Sequence, residues 1–360
     1  MDHLNELLAS RSHSRSDITY LLGLSCPDAA LSLESAALKS TLARMGPGVS
    51  TRGLIEFSNL CTCNCLYCGI RRANQGVQRY WLDEDEVLEN ALWCAEAGYG
   101  SVVLQAGERR DPAFIDYLTR CVTRIRKESV SATLPQGLGI TLSVGEQSPE
   151  TYQRWFDAGA HRYLLRIESA NPRLFSAIHP PEQQWSRRVR CLESLKAIGW
   201  QLGTGVLIGL PGQTLDDLAG DILFFRELDC DMIGMGPWLA TPDTPMQGQD
   251  RLSRAELLRR ALNMIAVTRL LLPDVNIAST TALEALSPRG RELGLRAGAN
   301  VIMPNVTSPR VRALYQLYPD KPGLNQDRGE SRASLEALLA SCGREPRWNQ
   351  WGDSLHARRH

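Results

Sequence analysis

Four cysteines fall within eight positions, Cys61-Thr-Cys63-Asn-Cys65-Leu-Tyr-Cys68, in a chain whose N-terminus carries no export signal. Thiols so crowded in a long chain of this kind favour metal binding over a disulfide framework. Two metal chemistries compete for them. A structural zinc site normally takes a second ligand pair at a distance from the first, and no such pair follows. The other reading takes Cys61, Cys65 and Cys68 as a C-x3-C-x2-C set that holds three irons of a 4Fe-4S cubane and leaves the fourth iron open to a reactive partner. Cys63 is then a spare thiol, a small bystander expected to point elsewhere on the loop.

An open iron needs a frame that holds it at the edge of a cavity. Alternating strand and helix patterns begin just before the cysteines. Residues 54–58 (LIEFS), 101–105 (SVVLQ), 138–144 (LGITLSV), 162–168 (RYLLRIE), 202–209 (LGTGVLIG), 231–237 (DMIGMGP), 275–280 (VNIAST) and 299–304 (ANVIMP) read as strands, with helical periodicity between them. That count predicts an α/β fold, a (β/α)8 TIM-type barrel, with an open doubly wound sheet as the alternative. The cysteine loop leaves the first strand and so belongs to the catalytic face. Residues 1–50 predict an N-terminal helical extension, 51–304 the barrel, and 305–360 an irregular tail that wraps back over it.

With 43% hydrophobic residues in 360, the chain can bury a large core. Forty Lys and Arg balance forty Asp and Glu, so no global field draws it to nucleic acid or to an anionic membrane. Nor does it hold an uninterrupted apolar stretch of about 18 residues. A cytoplasmic protein without nucleic-acid or membrane partners is expected.

The cysteine spacing resembles that of the radical S-adenosylmethionine (SAM) superfamily. The resemblance implies two cofactors, one 4Fe-4S cluster and SAM. The amine and carboxylate of SAM chelate the open iron, and reductive cleavage releases a 5′-deoxyadenosyl radical. It assigns Tyr67 to the aromatic position against the adenine. Gly107 and Glu108 stand where the superfamily carries Gly-Gly-Glu, with Ala106 in place of the first glycine; an ionised Glu108 would accept from the SAM ammonium. Glu168 ends the fourth strand, and Arg188 would bind the SAM carboxylate as a planar fork. Gly205 and Gly209 flank Leu207 as in the GxIxG motif, where backbone lies flat on adenine, and Met232 would pack against SAM. Taken singly, each has a plainer reading: a solvated Glu, a surface Arg, a glycine turn, a core Met.

Longer stretches narrow the resemblance. LIEFSNLCTCNCLYCGIRRAN, QRYWL, VVLQAGE, RYLLRIESANP, GLPGQT, DMIGMGP, PDTP, TTA, GANVIMPN and LYQLYP, in this order, are similar to the HydE family of FeFe-hydrogenase maturation enzymes. Biotin synthases share the barrel but require cysteines on inward strands, and the strand segments here contain none. Methylornithine synthases fit Arg71-Arg72 and the TTA segment less well, and remain an alternative. The HydE resemblance implies a small organometallic substrate, a cysteine-ligated Fe(CO)2(CN) complex attacked at its sulfur, and transient contact with the other hydrogenase maturases. Anionic groups on that substrate call for cations: Arg162 and Arg166, four apart on the fourth strand, face one side and are expected in the cavity, unless one forms a structural ion pair. Gln105, Thr280 and Thr281 would supply hydrogen bonds, and Tyr315 and Tyr318 would cap the cavity. Two departures bear on the substrate: Arg166-Ile167-Glu168-Ser169 replaces the RHET often seen in the family, and Ala106 replaces Ser. After LYQLYP the chain has only Cys342, so a single cluster is expected. A non-catalytic iron-sulfur carrier is the rival class; it would need the thiol loop alone.

Overall fold

The computed structural model describes residues 2–10, 12–322 and 328–359. Its first strand, Gly48–Ser58 (β1), is buried along its length except at Leu54, as a parallel strand covered on both faces must be. Seven more strands follow: Ser101–Ala106 (β2), Gly139–Ser143 (β3), Arg162–Leu164 (β4), Gln201–Thr204 (β5), Met232–Ile233 (β6), Asn276–Ile277 (β7) and Val301–Ile302 (β8). All pair in parallel and in sequence order, and β8 returns to β1, with Ser50 opposite Val301. Backbone bonds from Asn300 N to Ile277 O and from Ser279 N to Val301 O, both 2.9 Å, join β7 to β8 and close the ring. The expected barrel is therefore formed.

Two of the expected strands are interrupted. Residues 202–209 and 231–237 each split, and their second halves, Leu207–Ile208 and Gly236–Pro237, pair above the ring as a separate two-stranded ladder. The backbones cross closely where they split. A Cβ at Gly205 would lie 2.0 Å from the carbonyl oxygen of Gly234, so only glycine fits there.

Helices start where the sequence caps them. Asp83 and Glu86 form a capping box at Glu84–Glu96, and Thr214 and Asp217 do so at Leu215–Leu228. Asp111 and Ser148 cap helices that begin at Pro112 and Pro149. Helix Pro112–Glu128 turns Phe114, Tyr117, Leu118, Cys121, Val122 and Ile125 inward, the stripe of a helix packed on a barrel. Before β1, helices Asp2–Ala9, Arg15–Leu22 and Pro27–Met45 lie against the outside of the ring. Asn263 Nδ2 bonds the carbonyls of Leu22 and Leu24 at 3.1 and 2.9 Å, and Thr41 Oγ1 that of Gly298 at 3.1 Å.

The chain after β8 covers both ends of the barrel. Residues 313–322 cross the C-terminal mouth. Strand Glu345–Arg347 then adds to the lower end of β1, and residues 351–354 plug the floor: Arg52 Nη2 and Asn276 Nδ2 bond the carbonyl of Gly352 at 3.1 and 2.8 Å, and Trp351 Nε1 bonds that of Gly137 at 2.8 Å. The segment expected to be irregular contains a helix, Arg328–Ser341, as well as strand Glu345–Arg347. Among the described residues no helix is long and apolar enough to cross a membrane.

Candidate active site

The loop leaving β1 is held in shape by groups that donate to its carbonyls. Arg79 reaches the carbonyls of Asn59, Ile70 and Arg71 at 2.7–2.8 Å, and Asn59 Nδ2 bonds those of Gln78 and Leu314 at 2.8 Å. So pinned, the loop turns Cys61, Cys63, Cys65 and Cys68 onto one cavity of about 320 Å³. All four are free thiols. Cys63 was expected to point elsewhere and does not; its backbone N–H lies 3.4 Å from Cys61 Sγ. Among the described residues no three Cys, His, Asp or Glu side chains converge on one point; the four thiols are instead spread around the shared cavity. Bonds from Cys63 hold the Cys61 thiol below its ordinary range, whereas burial pushes Cys65 up to about 12 and Cys68 well up.

Next to the thiols runs a wall of ion pairs. Glu108 pairs with Arg110, and its Oε2 accepts the N–H of Glu146 at 2.8 Å; a Cβ at Gly145 (φ +81°) would fall 2.3 Å from that oxygen. Glu146 is buried and gathers Arg110, Arg187 and Arg188 at 3.1, 3.1 and 2.7 Å. Arg188 also donates Nη1 to the carbonyl of Arg166 at 2.5 Å. Burial works against its charge, but Glu146 and Glu108 more than offset this and keep its guanidinium protonated. Glu168 stands at φ +63°, in the left-handed region that side chains avoid. Its Oε2 is 3.2 Å from Arg166 Nη2 but, like Arg166 Nε and Trp238 Nε1, is buried without a hydrogen-bond partner.

Toward the tail the lining changes to hydroxyls and amides. Gln105, Thr280, Thr281, Tyr315 and Tyr318 all face the cavity. Thr281 Oγ1 and Tyr318 Oη are 2.6 Å apart. Buried Glu56 accepts from Asn305 Nδ2 at 2.7 Å and pairs with Lys321, which also bonds the carbonyl of Tyr315 at 2.9 Å. Tyr67 and Gly107 line the cavity too, with Tyr67 edge-on to His179 at 5.5 Å.

Three expected residues do not reach this space. Arg162 lies at the floor, wholly buried, with Nη1 2.5 Å from Asp353 Oδ1 and Nε 2.9 Å from Thr141 Oγ1; it is the structural ion pair, with a tail carboxylate as its partner. Met232 also sits low, its sulfur 3.0 Å from Arg52 Nη1. Gly205 serves the strand crossing above β5 and is not among the lining residues. The sequence reading missed Glu146, Glu56, Lys321, Asn305 and Gln183. A Glu in the Gly-Glu-Gln-Ser loop reads as surface, and only its three arginines reveal it. For the buried pair Glu56 and Lys321, the one signal was a carboxylate in the middle of an apolar strand.

Residues 55–225 match the radical SAM superfamily model, whose members use a 4Fe-4S cluster and SAM. Over 309 residues the chain is 42% identical to the FeFe hydrogenase maturase subunit HydE of Thermotoga maritima, spanning 86% of this chain and 84% of that one. A biotin synthase of Picosynechococcus sp. is 28% identical over 68% of this chain and 66% of its own length. Two solved structures share the fold: methylornithine synthase (TM-score 0.77, 24% identity, covering 96% of this chain and 97% of that one) and HydG of Carboxydothermus hydrogenoformans (0.80, 20%, 96% and 79%). With the fold, the thiol loop and an identity of 42% in agreement, this chain is a radical SAM enzyme and belongs to the HydE family.

Proposed function

We propose that the chain acts in assembly of the FeFe-hydrogenase H-cluster, on a small cysteine-ligated Fe(CO)2(CN) precursor held between its thiol loop and its tail. In this reading Cys61, Cys65 and Cys68 hold the 4Fe-4S cluster. When bound, the cluster and SAM supply a 5′-deoxyadenosyl radical. The protein's own part is to bind, orient and keep water out. Glu168 Oε2, buried without a hydrogen-bond partner, suits the ammonium of SAM, whereas both oxygens of Glu108 are already engaged. Arg188 has Nη2 left for a carboxylate, and Tyr67 offers a ring to the adenine. At the far side Arg166, Gln105, Thr280, Thr281 and Tyr315 would orient the substrate, with the latch of Lys321 on Glu56 holding the tail across the mouth.

One observation carries the proposal: the thiols, the carboxylate and arginine wall, and the hydroxyl and amide lining all open on a single cavity. An iron-sulfur carrier needs only the first of these. Contact with other maturases would be transient, to receive the precursor and pass on the product. The test is to add a synthetic cysteine-ligated Fe(CO)2(CN) complex to the reconstituted, reduced protein with SAM. The complex should raise 5′-deoxyadenosine formation at least tenfold above the rate with SAM alone, an effect of about 1.4 kcal/mol or more on the barrier. An unchanged rate would remove this substrate from the proposal.

A further inference from the structure

The three sulfurs of the C-x3-C-x2-C set have different neighbours. Cys61 receives the backbone N–H of Cys63 at 3.4 Å. Cys65 has a side chain instead: its Sγ–H donates to Oε1 of Gln183 at 3.2 Å. Gln183 is only 9% exposed and is held from both sides. Its own N–H bonds the carbonyl of Pro180 at 2.9 Å, and Leu66 N, next to Cys65, bonds that of Ile178 at 2.9 Å, so the turn carrying Gln183 and the cysteine loop are tied together. Its Nε2 has no hydrogen-bond partner among the described residues, although two N–H groups sit on that atom.

A thiolate bound to metal has lost its proton and can only accept hydrogen bonds, so a carbonyl oxygen facing it is repelled. The oxygen and nitrogen of a carboxamide are nearly the same size, and a half-turn about the last torsion exchanges them. For Gln183 that turn breaks no other bond, because Nε2 has none to lose. We propose that Gln183, with metal on Cys65, turns its amide to donate an N–H to the Cys65 sulfur, and so makes the cluster easier to reduce. A donor on a ligating sulfur withdraws electron density and favours the more negative, reduced state. The role is one of positioning and tuning; Gln183 need touch neither SAM nor substrate. It rests on the assignment of Cys65 as a cluster ligand.

The test is an EPR-monitored redox titration of anaerobically reconstituted protein without SAM, comparing parent, Gln183→Leu and Gln183→Glu at equal iron and sulfide content. At a fixed potential the ratio of reduced to oxidised cluster should fall about three- to tenfold in the Leu variant, and further in the Glu variant, which adds a negative charge; for this one-electron couple tenfold corresponds to about 59 mV. A Leu variant whose ratio stays within twofold of the parent overturns the proposal. Should the variants load poorly, the parent decides alone: with side-chain 15N-labelled glutamine, the reduced cluster should show a weak 15N hyperfine coupling, and its absence is equally fatal. A parent that gives no reduced-cluster signal at all defeats the ligand assignment as well, which separates the two failures.

Discussion

Both ends of the barrel are rich in arginine and both are covered by the C-terminal segment, yet they are built for different ends. At the floor, Arg162 meets Asp353, Thr141 and the carbonyl of Trp351, and the space above holds about 30 Å³. At the mouth, Arg110, Arg166 and Arg188 share Glu108, Glu146 and Glu168 around about 320 Å³. The lesson lies in Arg162 and Arg166, expected on one strand: β4 holds Arg162 but ends at Leu164, and Arg166 follows it. Four residues span at most about 13 Å when extended, enough to place one in an ion pair at the floor and the other at the cavity. Unpartnered buried atoms occur at both ends, Arg162 Nη2 at the floor and Arg166 Nε and Glu168 Oε2 at the mouth; the ends differ in space, since only the mouth leaves room for a ligand beside them.

The largest effect should come from the floor. Asp353→Ala leaves Arg162 buried without its counter-charge and is expected to cost about 3–5 kcal/mol, read as a melting temperature lowered by roughly 10 °C, with SAM affinity retained in the folded fraction. Loss of SAM binding at an unchanged melting temperature would break the contrast between the two ends. Glu168→Gln at the mouth should do the reverse. Replacing a charge-assisted hydrogen bond by a neutral one should weaken SAM binding by about 1.5–3 kcal/mol, on the order of ten- to a hundredfold by equilibrium dialysis, with little change in melting. Comparable losses in both measurements would show that the mouth is as structural as the floor.

A smaller effect depends on pH and involves one histidine at each end. Burial holds His161 at the floor down to about 4 and His179 beside Tyr67 down to about 3. Below about 6.5 the unfolded chain takes up protons that the folded one refuses, so the stability from these neutral rings is full above that pH and declines as pH falls toward 4. Chemical denaturation at pH 7.5 and 5.5 should differ by about 1 kcal/mol for each ring; equal stability at the two pH values would mean that the rings are protonated in the folded protein.

The barrel was legible because its strands, though shorter than expected, lie within apolar runs and its helix starts carry caps at fixed offsets. The thiol loop was legible because its chemistry is local, three ligands within eight positions. Glu146 was not, since its partners Arg110, Arg187 and Arg188 lie 36 to 42 residues away in sequence. The pair Glu56 and Lys321 spans 265 residues, and nothing in either segment announces the other. Arg162 was misplaced for a related reason: strand periodicity gives the face of a side chain but not its height in the barrel, and its partner Asp353 sits in a tail with no regular pattern. The two split strands turn on Gly205 and Gly234, where periodicity allows continuation and only the close approach of backbones forbids it.

The proposed SAM chemistry requires Cys65 as one of three ligands to a cluster whose remaining iron receives SAM. Anaerobically reconstituted, reduced protein should give a cluster EPR signal that changes on addition of SAM, together with 5′-deoxyadenosine, and Cys65→Ala should abolish both. A Cys65→Ala protein with the parent's SAM-responsive signal and product, or a parent signal indifferent to SAM, would contradict it.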